Sequence, residues 1–325
     1  MVFRRSHSTP LPRSAGPVTP KLMASSALRT PTPFVRCSQI GFSVTIVSIS
    51  SSAAGKPEQK SSLKDDLSDL VKNRPWVIML TLTTLVFITL AMKGGAYVYY
   101  FENYVEETRL AEFIAPILDA LSAIGLNQFG QDPVSAGFGL FNAGGIIFMI
   151  IGITLSKSLA DKFGKRDVFG LFLFISALFI LFFYLLPPDA VGLMFLAQIL
   201  HGFFYGITIP VLWAMIADVA DYSDWKNNRR ATAIIFSAMM VGLKAGLSIG
   251  GAITTWVLGV FDYVPNAEVQ TDSAVEGIKL LVSIFPAIPF VLGAALLFLY
   301  EINKAMEVQI EADLVNGQDG DQSFA

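Results

Sequence analysis

The sequence predicts an all-α integral membrane protein with six transmembrane helices. Its 325 residues are 53% apolar and only 15% charged, whereas a typical soluble domain carries about 25% charged residues. The deficit comes from long apolar runs, each near the ~20 residues that a helix needs to cross a bilayer. Positive charges collect in alternate loops between these runs, which is the pattern of a polytopic membrane protein.

Six runs are long enough to be spans, and together they predict a helical bundle over residues 63–305. Trp76 lies at one end of the first span and Tyr97, Tyr99 and Tyr100 at the other, which marks the two membrane interfaces. Spans three and four are joined only by the tight turn PPDA, so they form a hairpin. The spans cover about residues 75–101, 135–155, 168–186, 191–217, 231–260 and 277–300.

Between spans one and two, apolar residues repeat at helical spacing from Leu110 to Leu121, with polar residues on the other face. We expect a surface helix that lies on the membrane or on the bundle. Spans three and six hold almost no polar groups, so we expect them to be lipid-facing scaffold.

Lysine and arginine residues set the orientation of the bundle. They are frequent before span one, between spans two and three, and between spans four and five, whereas the alternate loops are acidic and hold only Arg109. We therefore expect the residues before Pro75 and after Tyr300 in the cytoplasm, with residues 306–325 as a cytoplasmic tail. The plasma membrane or an inner membrane is the expected location.

Residues 1–62 differ from the rest of the chain in composition. They are rich in Ser, Pro and Arg, and Glu58 is their first acidic residue, which is typical of an organelle transit peptide. A secretory signal over Ile40–Ile49 is a weaker interpretation, because cleavage there would leave the basic segment 56–74 outside. A disordered tail or an artefact of the gene model is equally open.

The chemistry of soluble enzymes has almost no support in this sequence. Cys37 is the only cysteine, so neither an intramolecular disulfide nor a cysteine-based metal site is expected. No HExxH, P-loop or GxSxG pattern occurs, and no basic stripe indicates nucleic-acid binding. We expect no catalytic residues, no bound metal and no cofactor.

Lys244 is the most informative residue, because it lies in the middle of an apolar span. With ~1.5 Å rise per residue it is about 21 Å from Arg230, too deep for its side chain to reach the interface. A lysine at that depth costs at least ~2.5–3.5 kcal/mol and usually faces a cavity or a partner. Gly242, Gly246 and Gly250 form a small-residue ridge that packs on another helix, and Lys244 points ~200° away from it. We therefore expect Lys244 to face a polar cavity.

Span four carries four hydrogen-bonding side chains at spacing i, i+3, i+7, i+10, which places them in one stripe of a helix. They are Gln198, His201, Tyr205 and Thr208. Either a substrate-lined wall or interhelical hydrogen bonding explains such a stripe. Asn142 in span two and Lys93 in the outer third of span one are weaker cavity candidates, and Lys93 could equally snorkel to the interface.

Charges of both signs crowd the segment between spans four and five. They are Asp218, Asp221, Asp224, Lys226, Arg229 and Arg230. A run of this kind is usually a solvated loop. Mixed signs at the mouth of a bundle also suit salt bridges that close one side of a pore and break when it opens. The candidate gate residues are therefore Asp218, Asp221, Asp224, Arg229 and Arg230.

The segment ADVADYSDWKNNRRATAIIFSAMMVGLKAG at 217–246 is followed by YVPN at 263–266. Together they resemble the region of the tenth and eleventh helices of the glycoside–pentoside–hexuronide cation symporters, the melibiose-permease-like family of the major facilitator superfamily. KNRPWVIML at 72–80 and MKGGAYVYYF at 92–101 resemble the start of the seventh helix in that family. LADKFGKRDVF at 159–169 resembles the loop motif between helices eight and nine, with Lys157 in place of the usual leading glycine.

The resemblance implies transport of a sugar or glycoside, coupled to Na⁺ or H⁺, by alternating access. Lys244 matches the intramembrane lysine of the eleventh helix, which contributes to the polar network near the cation and sugar sites. Asp218, Asp221 and Arg230 match the charged loop that gates the inner side.

The chain departs from the family in its number of helices. The family has twelve, in two six-helix halves, and the six spans match the second half only. The cation-binding carboxylates of the family lie on the first half, and none of the six spans contains an acidic residue. We therefore expect the cation site to need the other half, supplied by a separate chain or a second copy.

Two other interpretations remain. The first is a truncated or inactive fragment, or a membrane protein kept only for association, which upstream DNA encoding six more spans would identify. The second is a retinal-type photoreceptor with Lys244 as the Schiff base. Six spans are one too few for it, and no intramembrane carboxylate is available as the counter-ion.

Overall fold

A computed structural model of the protein describes residues 71–126, 132–227, 232–267 and 269–322. Over these residues the chain forms nine α-helices, two short 3₁₀ turns and no strand. The all-α class expected from the sequence is confirmed. The targeting-like segment 1–62 and the gate candidates Arg229 and Arg230 lie outside the described residues.

The helices are labelled α1 to α9 in chain order. They are α1 (Arg74–Asn103), α2 (Glu107–Ala123), α3 (Pro133–Phe163), α4 (Lys165–Phe182), α5 (Val191–Asn227), α6 (Thr232–Val260), α7 (Asp272–Val282), α8 (Ile284–Leu296) and α9 (Lys304–Gln322). The 3₁₀ turns Phe183–Leu185 and Leu297–Leu299 extend α4 and α8. Six segments are long and apolar enough to cross a membrane: α1, α3, α4 with its turn, α5, α6, and α7 with α8. The predicted six-span membrane protein is thereby confirmed.

Local sequence sets where two of the spans begin. Asn73 precedes α1, and its Oδ1 accepts a hydrogen bond from the backbone N–H of Trp76 at 3.4 Å. Asp132 precedes α3, and its Oδ2 accepts from the N–H of Ser135 at 2.8 Å. Both are N-caps, which satisfy donors that have no partner inside the helix.

Two spans continue well beyond their apolar runs. α3 ends at Phe163 and α5 at Asn227. The charged residues Asp218, Asp221 and Asp224 therefore lie on the last turns of α5, and their interpretation as part of a loop is wrong. The helix continues through them because no glycine or proline lies between Pro210 and Asn227 to end it earlier.

The sixth span consists of two helices. α7 and α8 meet at Ser283, whose backbone is not helical (φ −121°, ψ −82°). Pro286 and Pro289 follow, and neither has an N–H to donate within the helix. The hydroxyl of Thr89 on α1 donates to the carbonyl of Pro286 at 2.7 Å, which fixes this irregular stretch to α1.

Glycines bring α3 and α5 into backbone contact. A Cβ atom added to Gly202 would lie 2.3 Å from the carbonyl oxygen of Gly145, and one added to Gly206 would lie 2.2 Å from that of Met149. Any side chain at these two positions would force the helices apart. The absence of a side chain is therefore what permits this packing.

The glycine ridge of α6 packs on α1 in the same way. A Cβ atom on Gly246 would lie 2.5 Å from the carbonyl oxygen of Thr84, and one on Gly250 would lie 2.5 Å from that of Ile88. The ridge thus contacts a neighbouring backbone, as its spacing predicts.

The surface helix expected between spans one and two is α2, and it lies on the bundle. Leu110 and Ile114 are buried, whereas Phe113 and Ile117 are 36% and 37% exposed. Leu110 packs on Gly137 of α3, where an added Cβ atom would lie 2.7 Å from its Cδ1.

The spans differ in how much of their length the bundle buries. Within the most apolar stretch, 50% is buried in α1, in α5 and in α7–α8, but only 28% in α6 and 17% in α3. The expectation of a lipid-facing sixth span is wrong, because Ala287 and Phe290 of α8 are fully buried where α8 packs on α1 and α4. The least covered spans are α3, with Ile146 and Ile150 about half exposed, and α6.

Replacing Gly246 by Ala tests the contact between α1 and α6. We expect Gly246→Ala to lower the free energy of unfolding by about 1–3 kcal/mol, the usual cost of overpacking, because the Thr84 carbonyl cannot move aside as a side chain can. Gly259→Ala on the same helix is the control, since no atom lies within 4 Å of its Cβ position. Thermal unfolding of the purified protein in detergent compares the two, and equal midpoints would contradict the contact.

Candidate functional site

A lysine is buried inside the bundle, between α1 and α5. Lys93 is only 6% exposed, and its Nζ donates a hydrogen bond to Oε1 of Gln198 at 3.1 Å. Tyr97, one turn further along α1, donates its hydroxyl to the same oxygen, also at 3.1 Å. The Nζ of Lys93 also lies 5.2 Å from the centre of the Tyr97 ring. We call Lys93, Tyr97 and Gln198 the buried triad.

The position of Lys93 corrects one interpretation of the sequence. Its side chain does not snorkel to the membrane interface; it points into the bundle. The side chain takes this direction because Gln198 supplies the acceptor from the facing helix α5, and Tyr97 at i+4 shares its face of α1.

The triad depends on the tight packing of α3. Gln198 lies against Gly145, where an added Cβ atom would be 2.8 Å from Nε2 of the amide. The ring of Tyr97 packs edge-on against Phe141, with centroids 4.9 Å apart and an angle of 82° between the rings. A side chain at residue 145 would displace the amide that accepts from both Lys93 and Tyr97.

The rest of the span-four stripe also points into the bundle. His201 is 3% exposed, and its Nδ1 lies 3.2 Å from the carbonyl oxygen of Ser176 on α4. A carbonyl can only accept, so this nitrogen carries the proton. The imidazole lies parallel to the ring of Tyr205 at 5.9 Å and is also close to Phe290 of α8.

The stripe is therefore an interhelical surface of this bundle and not an exposed wall. Thr208 is 1% exposed and donates to the carbonyl of Tyr205 on its own helix at 2.7 Å. Asn142 likewise donates to the carbonyl of Phe138 within α3 at 2.9 Å. Of the two explanations for the stripe, hydrogen bonding between helices fits Gln198 and His201.

Lys244 lies apart from the buried triad. Its side chain is exposed, and it has no hydrogen bond or ion pair with any atom that the structure describes. The glycine ridge occupies the opposite side of α6, against α1, so Lys244 faces away from the bundle. The structure thus does not bring Lys244 and the span-four stripe together.

Small and polar residues continue the exposed face on which Lys244 lies. Ser248, Gly251, Thr255 and Gly259 follow at spacings of three or four residues, and all are exposed. At Gly251 this face is open, since no atom lies within 4 Å of a Cβ atom added there. We call Lys244, Ser248, Gly251 and Thr255 the polar face of α6.

A charged cluster lies at the end of the bundle that carries most of the arginines and lysines, here called the basic end. Lys165, the first residue of α4, pairs with Oδ1 of Asp218 on α5 at 2.5 Å. Its Nζ is also 4.0 Å from Oε2 of Glu307 on α9. The other carboxylate oxygen of Asp218 is buried without a hydrogen bond, so Lys165 is the group that offsets its charge.

A cleft of about 530 Å³ opens beside this cluster, where α9 faces α3, α4 and α5. Acidic side chains dominate its lining, which includes Asp218, Asp221, Glu307 and Glu311. Burial raises the pKa of Glu307, and the charge of Lys165 opposes that rise. Of the gate candidates, Asp218 and Asp221 thus lie on this cleft, and Asp224 lies further along α5.

Sequence reasoning missed α9, which was expected to be a tail. Lys304 at its start donates to the carbonyls of Asp161 and Lys162 at 2.7 and 3.0 Å, and so caps the end of α3. Asp313 accepts from the indole N–H of Trp225 at 2.9 Å. The sequence does contain a signal for this helix, namely the spacing i, i+4 and i+8 of the apolar residues that pack on the bundle. They are Met306, Ile310 and Leu314.

The amino-acid sequence is similar to those of known transporters. The family described as MFS/sugar transport protein matches residues 132–304. The inner membrane symporter YicJ of Escherichia coli (strain K12) is 28% identical over 238 residues, which is 73% of this chain and 46% of that protein. The uncharacterized symporter YjmB of Bacillus subtilis (strain 168) is 27% identical over 261 residues, 79% of this chain and 50% of that protein.

A relative whose name includes its substrate is covered to a similar extent. The isoprimeverose transporter of Lactiplantibacillus pentosus is 27% identical over 258 residues, which cover 78% of this chain and 47% of the transporter. The chain therefore spans about half the length of the curated relatives that it matches.

Removing Lys165 tests the ion pair at the basic end. We expect Lys165→Met to lower the free energy of unfolding by about 1–3 kcal/mol, because it leaves a partly buried carboxylate without its partner. Asp218→Asn should cost less, and the double variant should cost less than the sum, since the two side chains interact directly. Thermal unfolding of the four proteins in detergent gives this comparison. Additive effects would contradict the pair, and Lys157→Met, at an exposed position on α3, is the control.

Proposed function

This chain belongs to the MFS/sugar transport protein family, and we propose that it acts as one six-helix half of a symporter that carries a sugar or glycoside together with Na⁺ or H⁺. The uncovered polar face of α6 is the observation that carries this proposal. It places an ammonium group in the middle of a membrane span, on a side that no described residue covers.

The polar face suits a water-filled substrate path. An ammonium facing lipid at that depth costs at least ~2.5–3.5 kcal/mol, and that cost is avoided if the face lines an aqueous cavity. Lys244 would donate to sugar hydroxyls, and the hydroxyls of Ser248 and Thr255 can both donate and accept. Gly251 leaves space for a ligand beside them.

The uncovered faces of α3 and α6 support a partner half. In major facilitator transporters two similar halves surround the substrate site at mid-membrane. Since this chain spans about half the length of its relatives, the second half would be another six-helix chain or a second copy of this one. Each half would rock against the other to open the site to one side at a time.

The partner half would also supply the carboxylates that bind a metal cation. Within the described ranges no group of three or more His, Cys, Asp or Glu side chains is placed to hold a metal ion. In the proposed orientation the basic end faces the cytoplasm, as the distribution of lysine and arginine favours.

The alternative is a fragment without transport of its own. The coverage of its relatives favours this reading as much as it favours a half that works with a partner. Upstream coding DNA for six further spans would distinguish a gene fragment from a complete half.

Uptake of a panel of labelled sugars by cells tests the proposal. We expect accumulation when the chain is expressed with a reconstructed first half, and none with the chain alone. Lys244→Ala should abolish accumulation without changing the amount of protein in the membrane, because the polar face loses its main donor. Lys157→Ala, remote from that face, is the control. Undiminished accumulation by Lys244→Ala would exclude the role of Lys244, and no uptake with both halves would exclude symport.

A further inference from the structure

The buried triad has a chemistry that the proposed sugar path does not use. We propose that Lys93 is a proton-binding group of this half: it is neutral while packed against Gln198 and takes up a proton when α1 and α5 separate. The role in transport rests on the proposed function, whereas the protonation behaviour of Lys93 can be measured without transport.

The first argument is the shortage of acceptors around Nζ. A charged lysine has three N–H donors, but the described structure offers Nζ only one oxygen, Oε1 of Gln198. That oxygen also accepts from Tyr97, so it is shared. A neutral amine needs fewer acceptors. It can donate the same hydrogen bond to Gln198, and it carries no positive charge that needs a partner.

The second argument is the absence of a counter-charge among the described residues around the triad. The other titratable groups facing Lys93 are Tyr97 on its own helix and His201 on α5. The other two members of the triad have neighbours that do not titrate, because Tyr97 packs on Phe141 and Phe183 and Gln198 packs on Gly145. A charge removed from water without a partner costs several kcal/mol, so the packed state favours the neutral amine.

The third argument explains why the species that binds at Lys93 is a proton and not an anionic ligand. Only 6% of the surface of Lys93 is exposed, so a carboxylate or sulfonate group would have to displace the side chains that enclose it. A proton needs only one water molecule to reach Nζ. Such access requires the hydrogen bonds from Lys93 and Tyr97 to Gln198 to break, and these are the bonds that join α1 to α5 here.

The proposed step is a proton transfer without redox chemistry. When α1 and α5 separate, the lone pair of Nζ takes a proton from hydronium on one side of the membrane and forms a third N–H bond. After the two halves rock and open the site to the other side, Nζ gives this proton to water there, and the helices pack again around the neutral amine. One proton thus crosses for each cycle of separation and packing.

Thermal stability as a function of pH tests the protonation of Lys93 directly. If the folded protein binds fewer protons at Lys93 than the unfolded chain does, wild-type stability falls as the pH is lowered. We expect the melting temperature of Lys93→Met, minus that of the wild type, to rise steadily as the pH falls from 9 to 7.5, because an unfolded lysine (ordinary pKa ~10.4) is protonated over this range while an unfolded histidine (ordinary pKa ~6.5) stays mostly neutral. Lys279→Met should show a constant difference, since this lysine lies on α7, with its Nζ 4.5 Å from the centre of the Tyr184 ring.

A constant difference for Lys93→Met would overturn the proposal. If that variant does not fold, Lys93→Gln gives the same comparison with a neutral hydrogen-bonding side chain. His201→Gln should keep the wild-type pH dependence. If His201→Gln loses it while Lys93→Met keeps it, the proton belongs to His201 and the assignment to Lys93 is wrong.

Transport by the two co-expressed halves provides the second test. Alkalinisation of a weakly buffered medium during sugar uptake gives the ratio of protons to sugar, and we expect Lys93→Met to lower this ratio and Lys279→Met to leave it unchanged. An unchanged ratio in Lys93→Met would overturn the coupling role. If the wild type does not transport, the proposed function fails, while the stability measurement still decides whether Lys93 binds a proton.

Discussion

Contact between helix backbones at glycines determines the arrangement of this bundle. On one side Gly202 and Gly206 let α5 lie against the carbonyls of α3, and on the other Gly246 and Gly250 let α6 lie against those of α1. Without a large hydrophobic driving force between helices in lipid, such close approach is a main source of association. Both lysines of interest take their positions from it. The first contact brings Gln198 to Lys93, and the second turns Lys244 to the uncovered side of α6.

The two lysines show that depth in the membrane does not by itself define a role. The ammonium of Lys244 is hydrated in the membrane only if a partner covers this face and encloses water beside it. Lys244 therefore marks an interface. Lys93 is already enclosed by its own bundle, and its surroundings are neutral. The exposed ammonium of Lys244 can bind a ligand directly. In the proposed mechanism, the enclosed amine of Lys93 acts by gaining and losing a proton. A division of this kind would let one half carry sugar contacts and proton contacts at separate places.

The sequence predicted the features that follow from apolar length and periodicity. The six spans, the surface helix α2 and the packing of the Gly242–Gly250 ridge all result from spacing along one helix, which a sequence displays directly. It failed where a second helix decides the outcome. The direction of Lys93 depends on Gln198, which is 105 residues away along the chain. The burial of α8 depends on how α1 and α4 surround it, and its apolar composition resembles that of a lipid-facing helix.

The connection between α3 and α4 is a single residue, Gly164, held at φ +91°. A connection of this length keeps the end of α3 and the start of α4 next to each other. Lys165, which begins α4, holds Asp218 of α5, and Lys304 of α9 caps the end of α3. A partner that pressed on the open side of α3 would therefore transmit its force through Gly164 to the acidic cleft, some distance from the membrane centre. Binding of a partner to the open side of α3 would thus change the position of residues at the basic end, although the partner does not contact them.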